Sequence, residues 1–147
     1  MEVKIQGLDN LLKKLDQLGG SIPRSTQKAL LKSSAVFEAG AKAHCPVGTG
    51  ELRDSIHTEV KDEKTVAVGT NVNYAPYVEY GTGPKGDPSV PHTTKKFWRY
   101  KDEEGNWHTS HGQPPQPFMR PAFAEGKDQV MEAVKESVQE DVERLMR

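Results

Sequence analysis

The chain has 147 residues, and its 20 Lys and Arg nearly balance its 21 Asp and Glu, giving a formal net charge of −1. This length favours one domain, and the 34% hydrophobic content supports only a small core. The charge balance argues against a protein that coats nucleic acid, and no apolar run approaches the about 20 residues of a membrane-spanning helix. The first residues lack the apolar segment of a secretory signal, and Cys45 is the single cysteine, so we expect folding in a reducing cytoplasm without an intrachain disulfide.

The first third of the chain predicts a short strand followed by two helices. Val3 and Ile5 alternate with polar residues, which suits a strand or an extended arm. Leucines then recur at helical spacing from Leu8 to Leu18 and form one apolar face. After two glycines, a second helix is predicted from Pro23 to about Ala43, with proline at its first position.

The middle of the chain predicts an antiparallel hairpin after a break rich in proline and glycine at 46–50. One strand is expected from Leu52 to Lys61 and the other from Thr65 to Thr70, with a polar turn between them. The next segment, 71–80, is rich in Tyr and Val. Pro76 interrupts it, which allows either an edge strand or a short helical turn.

The last part of the chain predicts a flexible loop and projecting hairpin at about 81–112 and then a long helix. Two aromatic segments flank a polar turn in the hairpin, and the proline-rich residues 113–117 must be extended. The helix is expected from about Pro121, with an apolar stripe formed by Val130, Val134, Val138 and Val142. The predicted fold is therefore α+β: an antiparallel sheet with a projecting hairpin, packed against N-terminal helices and a long C-terminal helix in one domain over 1–147.

No residue pattern predicts a catalytic, cofactor-binding or metal site. His108 and His111 lie three residues apart, but no further ligands complete a metal set at suitable spacing. Cys45 has neither a strained elbow nor an evident oxyanion hole nearby. We therefore predict that the protein is not an enzyme. A metal-dependent hydrolase using His108, His111 and Cys45 is the least supported alternative.

A basic stretch with interleaved aromatic residues runs from Lys95 to Lys101. Cations and aromatic rings in this arrangement can contact the phosphates and bases of nucleic acid. They also suit the two faces of a strand or a protein interface. A small nucleic-acid-binding module using residues 95–101 is therefore the main alternative function.

Three segments, 46–56, 74–82 and 113–123, together resemble the gene-ten-like minor tail component family of long-tailed phages. They are PVGTGELRDSI, YAPYVEYGT and QPPQPFMRPAF, and they follow an N-terminal helical pair in the family's order and spacing. Members of this group are also described as neck, tail-completion or head–tail joining proteins, similar in role to the lambda tail-completion protein. The resemblance covers nearly the whole chain, from about Val3 to Arg144.

The resemblance implies a structural virion protein that completes the tail and joins it to the head connector as part of a ring. The implied partners are other copies of the chain, with six-fold symmetry favoured, and neighbouring head-completion, tail-terminator or tail-tube proteins. It implies assembly in the bacterial cytoplasm and a final location in the neck or tail of the virion. It implies no cofactor, no membrane and no specific nucleic acid.

The candidate interaction residues lie in the aromatic segments and after the proline cluster. Glu79 and Arg120 form a conceivable ion pair between the sheet region and the last helix. The stiff proline segment would deliver Phe118, Met119 and Phe123 as a rigid apolar plug. The full set is Tyr74, Tyr77, Glu79, Tyr80, Phe97, Trp98, Trp107, Phe118, Arg120 and Phe123.

Overall fold

The computed structural model describes residues 2–3, 13, 23–48, 50–62 and 64–145. It divides into two compact units, Met1–Asn71 with Phe118–Arg147, and Val72–Pro117. None of the described helices is long and apolar enough to cross a membrane. The predicted single domain over 1–147 stays a prediction, as does the flexibility of 81–112.

The secondary structure mixes helices with two small antiparallel sheets, which confirms the predicted α+β class. In chain order the elements are β1 (Glu2–Val3), α1 (Pro23–His44), α2 (Glu51–Ser55), β2 (His57–Asp62), β3 (Thr65–Gly69), α3 (Ala75–Tyr80), a 3₁₀ turn (Gly83–Lys85), β4 (Trp98–Lys101), β5 (Trp107–Ser110) and α4 (Met119–Leu145).

The first unit contains the three-stranded sheet, in which β3 lies between β1 and β2 and both pairings are antiparallel. Val68 of β3 lies opposite Val3 on one side and Thr58 on the other. Val66, Ala67 and Val68 are all buried, although successive side chains in a strand point to opposite faces. The central strand is therefore covered on both faces.

Helix α1 contacts both β3 and α4, so it joins the sheet to the C-terminal helix. Ala29 and Leu30 of α1 form a buried cluster with Val66 of β3 and Val134 of α4, and Val138 packs against this cluster. Because the cluster draws one or two residues from each of three elements, no pair of these elements could bury it alone.

Two glycines set how closely α1 and α4 approach. A Cβ atom at Gly40 would lie 3.2 Å from the Cβ of Ala122. A Cβ atom at Gly126 would lie 3.1 Å from ring carbons of Phe37, and that ring stacks on Phe123 at a centroid distance of 5.3 Å. At both points the glycine lets the other helix approach closely, with the methyl group of Ala122 at Gly40 and the ring of Phe37 at Gly126.

The structure confirms most predicted elements of the first unit and corrects the start of the first hairpin. Residues 51–55 form helix α2 rather than the beginning of a strand, and β2 begins at His57. Leu52 and Ile56 are both buried, and their spacing of four fits one helical turn as well as strand alternation. The predicted leucine-rich helix from Leu8 to Leu18 lies outside the described residues except for Lys13.

The apolar stripe of α4 also differs from the prediction at its end. Val130 and Val134 are buried, whereas 39% of Val142 is exposed and Asp141 is buried. Each step of four residues rotates the helix face by about 40°, so three steps displace Val142 by about 120° from Val130. The buried line consequently passes through Ser137 and Asp141 instead.

The second unit, Val72–Pro117, contains α3, the 3₁₀ turn and the β4–β5 hairpin. Of the two structures allowed for 71–80, the helical one is observed, and Pro76 lies in its first turn, where its missing N–H leaves no bond unmade. The hairpin is confirmed, with Trp98 opposite Ser110 and Lys101 opposite Trp107.

We predict that Gly126→Leu will lower the free energy of unfolding by about 1–3 kcal/mol, because the added side chain would meet the Phe37 ring. The control is Ala124→Leu, at an exposed position of the same helix, which should change it by no more than about 0.5 kcal/mol. Urea unfolding measures both. Equal effects of the two substitutions would contradict close packing at Gly126.

Glu38 accepts two 2.7 Å hydrogen bonds, one from Lys42 Nζ of its own helix and one from Thr58 Oγ1 of β2, and the second ties α1 to the sheet. The Lys42 bond is the main reason that the pKa of Glu38 lies below its ordinary value of 4.5, with Thr58 adding to the effect and partial burial opposing it. A carboxyl group with a lowered pKa stabilises the fold above its ordinary pKa, and this contribution is lost as the pH falls through the lowered value.

We therefore expect Glu38→Gln to reduce stability by about 1 kcal/mol at neutral pH, because a charged acceptor is lost. The difference from the unsubstituted protein should shrink as the pH falls below 4.5 and disappear below the lowered pKa of Glu38. Unfolding followed across a pH series checks this, with Glu103→Gln at an exposed position as the control. A difference that persists unchanged in acid would contradict the ionised hydrogen bond.

Candidate functional site

The proline-rich segment 113–117 has few backbone N–H groups, and it uses them to bond to other parts of the second unit. Gln113 and Thr82 exchange two backbone hydrogen bonds of 2.9 and 3.2 Å, and Gln116 N–H donates to Val78 O at 2.8 Å. The other three residues of QPPQP are prolines and cannot donate. The extended segment is thus bonded to residues 78–82 through the backbone of its two glutamines.

Gly81 lets this segment pass close to the end of α3. Its φ of 72° is unfavourable for other residues, and a Cβ atom there would lie 2.6 Å from Gln113 O and 2.7 Å from Pro115 N. Both contacts are with backbone atoms, which cannot turn away as a side chain would.

An open pocket of about 980 Å³ lies within the second unit. Five aromatic residues line it: Tyr74, Tyr77, Tyr80, Trp98 and Tyr100. Tyr74 and Tyr77 are 40% and 58% exposed. The lining also includes Pro76, Pro91, His92 and Gln113 but no Asp, Glu, Lys or Arg. The pocket therefore offers aromatic surface, hydroxyl groups and no full charge.

The spacing of these residues explains how they come to line one pocket. Tyr74, Tyr77 and Tyr80 are three apart along α3 and its preceding residue, so they lie near one face of the helix. Trp98 and Tyr100 are two apart on β4 and so project to the same face of the hairpin.

The opposite face of the hairpin is cationic and aromatic. Arg99 and Lys101 each lie 5.1 Å from the centre of the Trp107 ring. Trp107 is 58% exposed, and nearby Phe97 is 59% exposed. We call Arg99, Lys101 and Trp107 the cationic face.

At the hairpin tip, His108 Nε2 lies 2.6 Å from Asp102 Oδ2. This hydrogen bond is the main cause of the lowered pKa of Asp102, with the Asn106 amide contributing. The His108 ring also stacks on Tyr100 at 5.4 Å, whereas His111 lies beside Phe97 at 6.1 Å. His108 is therefore held by a carboxylate and a ring.

Cys45 lies in the first unit, buried, with its thiol 3.6 Å from Pro46 O. Burial raises the pKa of this thiol, which disfavours the thiolate that a nucleophile requires. In the part of the chain that the structure describes, no group of three or more His, Cys, Asp and Glu could hold a metal ion.

The structure brings together four of the ten predicted interaction residues, Tyr74, Tyr77, Tyr80 and Trp98, in the pocket. Phe97 and Trp107 are exposed on the hairpin, and Glu79 is fully buried in the same unit. Sequence reasoning missed Tyr100 as a candidate, although strand alternation with Trp98 could have identified it.

The other three candidates lie in the first unit. Phe118 is fully buried, Phe123 is half-buried against Phe37, and Arg120 is exposed. Packing into the core accounts for Phe118, and the pairing of Glu79 with Arg120 stays a prediction.

We predict that Gly81→Ala will destabilise the second unit more than Gly105→Ala. Both glycines have positive φ, but a Cβ atom at Gly105 would meet nothing within 4 Å. The Gly105 change should cost about 1 kcal/mol, and the Gly81 change at least about 2 kcal/mol because backbone must move as well.

Amide hydrogen exchange is the measurement, since Thr82 and Gln116 N–H are bonded across this contact. Both amides should exchange faster in Gly81→Ala and remain protected in Gly105→Ala. Unchanged protection in Gly81→Ala would show that the close approach is not needed.

Comparison with protein-family models places residues 9–81 in the family HK97-gp10_like, described as "Bacteriophage HK97-gp10, putative tail-component". The matched range includes α1, the first hairpin and α3 with its tyrosines. Comparison with curated proteins and with solved structures returned no significant match. Three tyrosines that line the pocket, Tyr74, Tyr77 and Tyr80, therefore lie in the matched segment. Over residues 9–81 the chain belongs to the HK97-gp10-like family of phage tail components.

Proposed function

We propose that this phage tail component acts at the neck, where it completes the tail and joins it to the head connector as part of a homo-oligomeric ring. Membership of a tail-component family supports the structural role. The ring, for which six-fold symmetry is favoured, and the position at the neck are the finer part of the proposal. The neighbours would be head-completion, tail-terminator or tail-tube proteins.

The aromatic pocket is the observation that carries the proposal. Pockets lined mainly by apolar and aromatic side chains with a few polar groups are the usual place where a protein binds a partner or ligand. Tyr and Trp are enriched at protein interfaces because they bury much area and keep a polar atom for hydrogen bonding. Here five such residues surround one open, uncharged volume. A protein segment seated there would bury the exposed rings of Tyr74 and Tyr77.

The candidate nucleophile and bases fit a structural protein better than an enzyme. The buried thiol of Cys45 has a raised pKa, which lowers its reactivity. His108 is hydrogen-bonded to Asp102 at the exposed end of a hairpin. It is not among the residues that line the pocket. These arrangements support a role through contact rather than through catalysis.

We predict that Tyr77→Asp will impair function without unfolding the protein, because it places a charge in an uncharged pocket at an exposed position. A phage lacking its own copy of the gene would be supplied with each variant, and infectious particles counted. The titre should fall by about tenfold or more, as expected when a contact of about 1.4 kcal/mol is lost. Electron microscopy should show unjoined heads and tails.

The matched control is Val47→Asp, which introduces the same charge at an apolar residue that is 67% exposed and outside the pocket. It should leave the titre unchanged. If joined, infectious particles form without the protein, the neck function is refuted. If Tyr77→Asp gives a normal titre, the pocket has no part in that function.

A further inference from the structure

One face of the β4–β5 hairpin carries two cations and an exposed ring with nothing seated on it in the described chain. Arg99 and Lys101 alternate along β4, and Trp107 on β5 lies directly opposite Lys101. Lys95 and Lys96, both exposed, continue the positive charge before the strand. The cationic face therefore combines a row of positive charge with an apolar ring that is 58% exposed.

Helix α4 presents a row of opposite charge. Carboxylates recur every three or four residues on one side of this helix, at Glu125, Asp128, Glu132, Glu136, Glu140 and Glu143, and all six are exposed. Glu125 pairs with His44 at 2.8 Å, whereas the four from Asp128 to Glu140 form no ion pair within the described part of the chain. We call these four residues the acidic row.

The two rows match in spacing as well as in sign. Side chains two apart on a strand are separated by about 6.6 Å, and side chains four apart on a helix by about 6 Å along its axis. Arg99 and Lys101 could therefore face two successive carboxylates of the acidic row. Met131, which is 47% exposed beside Glu132, offers apolar surface for the ring of Trp107.

We propose that the cationic face of one copy docks on the acidic row of helix α4 of a second copy. The inference rests on the proposed ring and names its subunit contact. Both surfaces are exposed in the single chain, so each is available to another copy. Because the two surfaces are different, repeated contacts of this kind link copies head to tail, which generates a ring when the rotation closes.

The energetics divide between the charges and the ring. Exposed ion pairs add little affinity each, but they orient the approaching surfaces and are screened by salt. Burial of Trp107 supplies the apolar contribution, as aromatic anchors do at interfaces. The association should accordingly weaken as the salt concentration rises.

Nucleic acid is the competing occupant of the cationic face, because cations beside an exposed ring can bind phosphate and stack on a base. The charges on the chain favour a second copy. The protein as a whole carries a net charge of −1, which gives no overall attraction to a polyanion, whereas its own helix α4 holds carboxylates at a matching interval.

The test uses two full-length charge-reversal variants, Arg99→Glu/Lys101→Glu and Glu132→Lys/Glu136→Lys. In each variant the two reversed side chains meet charges of their own sign on the opposing surface, so each alone should associate at least about tenfold more weakly than the unsubstituted protein. In an equimolar mixture every contact between unlike variants joins opposite charges. The mixture should therefore recover association. Sedimentation velocity at low and high salt measures the mass of the assemblies that each sample forms.

Two control variants reverse the same number of charges elsewhere: Lys64→Glu/Lys85→Glu, and Glu103→Lys/Glu104→Lys at the hairpin tip. Both should associate as the unsubstituted protein does. Circular dichroism checks that each variant is folded, and recovery in the mixture separates lost docking from misfolding.

Reversal variants that associate normally, or fail to recover on mixing, overturn the docking surface. So does unsubstituted protein that stays monomeric at low salt up to its solubility limit. If that monomer still yields joined particles, the neck function stands without this contact. If a single-stranded DNA oligonucleotide binds, and Arg99→Glu/Lys101→Glu abolishes that binding but not self-association, the face serves nucleic acid instead.

Discussion

The close contact between α1 and α4 is the constraint on which the first unit depends. Gly40 lies against Ala122, and Gly126 lies against the ring of Phe37, so at both points the missing Cβ atom lets the helices approach closely. Close approach at these points brings Val134 of α4 into the same cluster as Val66 of the sheet. A chain with few hydrophobic residues can then stabilise three elements, because the same small cluster of alanine and branched side chains packs against all of them.

The sequence predicted those elements that repeat a pattern over many residues. The long helices and both hairpins follow from periodicity and turn composition. The error at Leu52 arose because a single spacing of four, to Ile56, fits both a helical turn and a strand, and no longer pattern decides between them. The error at Val142 has a different cause: valines spaced by four form one stripe only over a short helix, and the repeat of 3.6 residues turns the later ones away from the core.

The pocket was harder to predict because it depends on which structure 71–80 adopts. In a strand, Tyr77 would point away from Tyr74 and from Tyr80, since their separation is an odd number of residues. In helix α3 the same spacing places all three near one face. The partner residues Trp98 and Tyr100 come from a strand beyond a long loop, and their position beside α3 depends on the backbone bonds of Gln113 and Gln116. Such long-range pairing leaves no local sequence pattern.

Strand β4 gives the proposed neck protein two surfaces of different character from four residues. Its alternation directs Trp98 and Tyr100 to the uncharged pocket and Arg99 and Lys101 to the cationic face. An aromatic pocket gains affinity through buried area, whereas exposed charges mainly select partners and orient them. A subunit in a ring must contact identical copies and also unlike neighbours, and these contacts must not compete. In the proposed ring, an uncharged surface and a charged surface on opposite faces of one hairpin would keep the two kinds of partner apart, because an occupant suited to one face is poorly matched to the other.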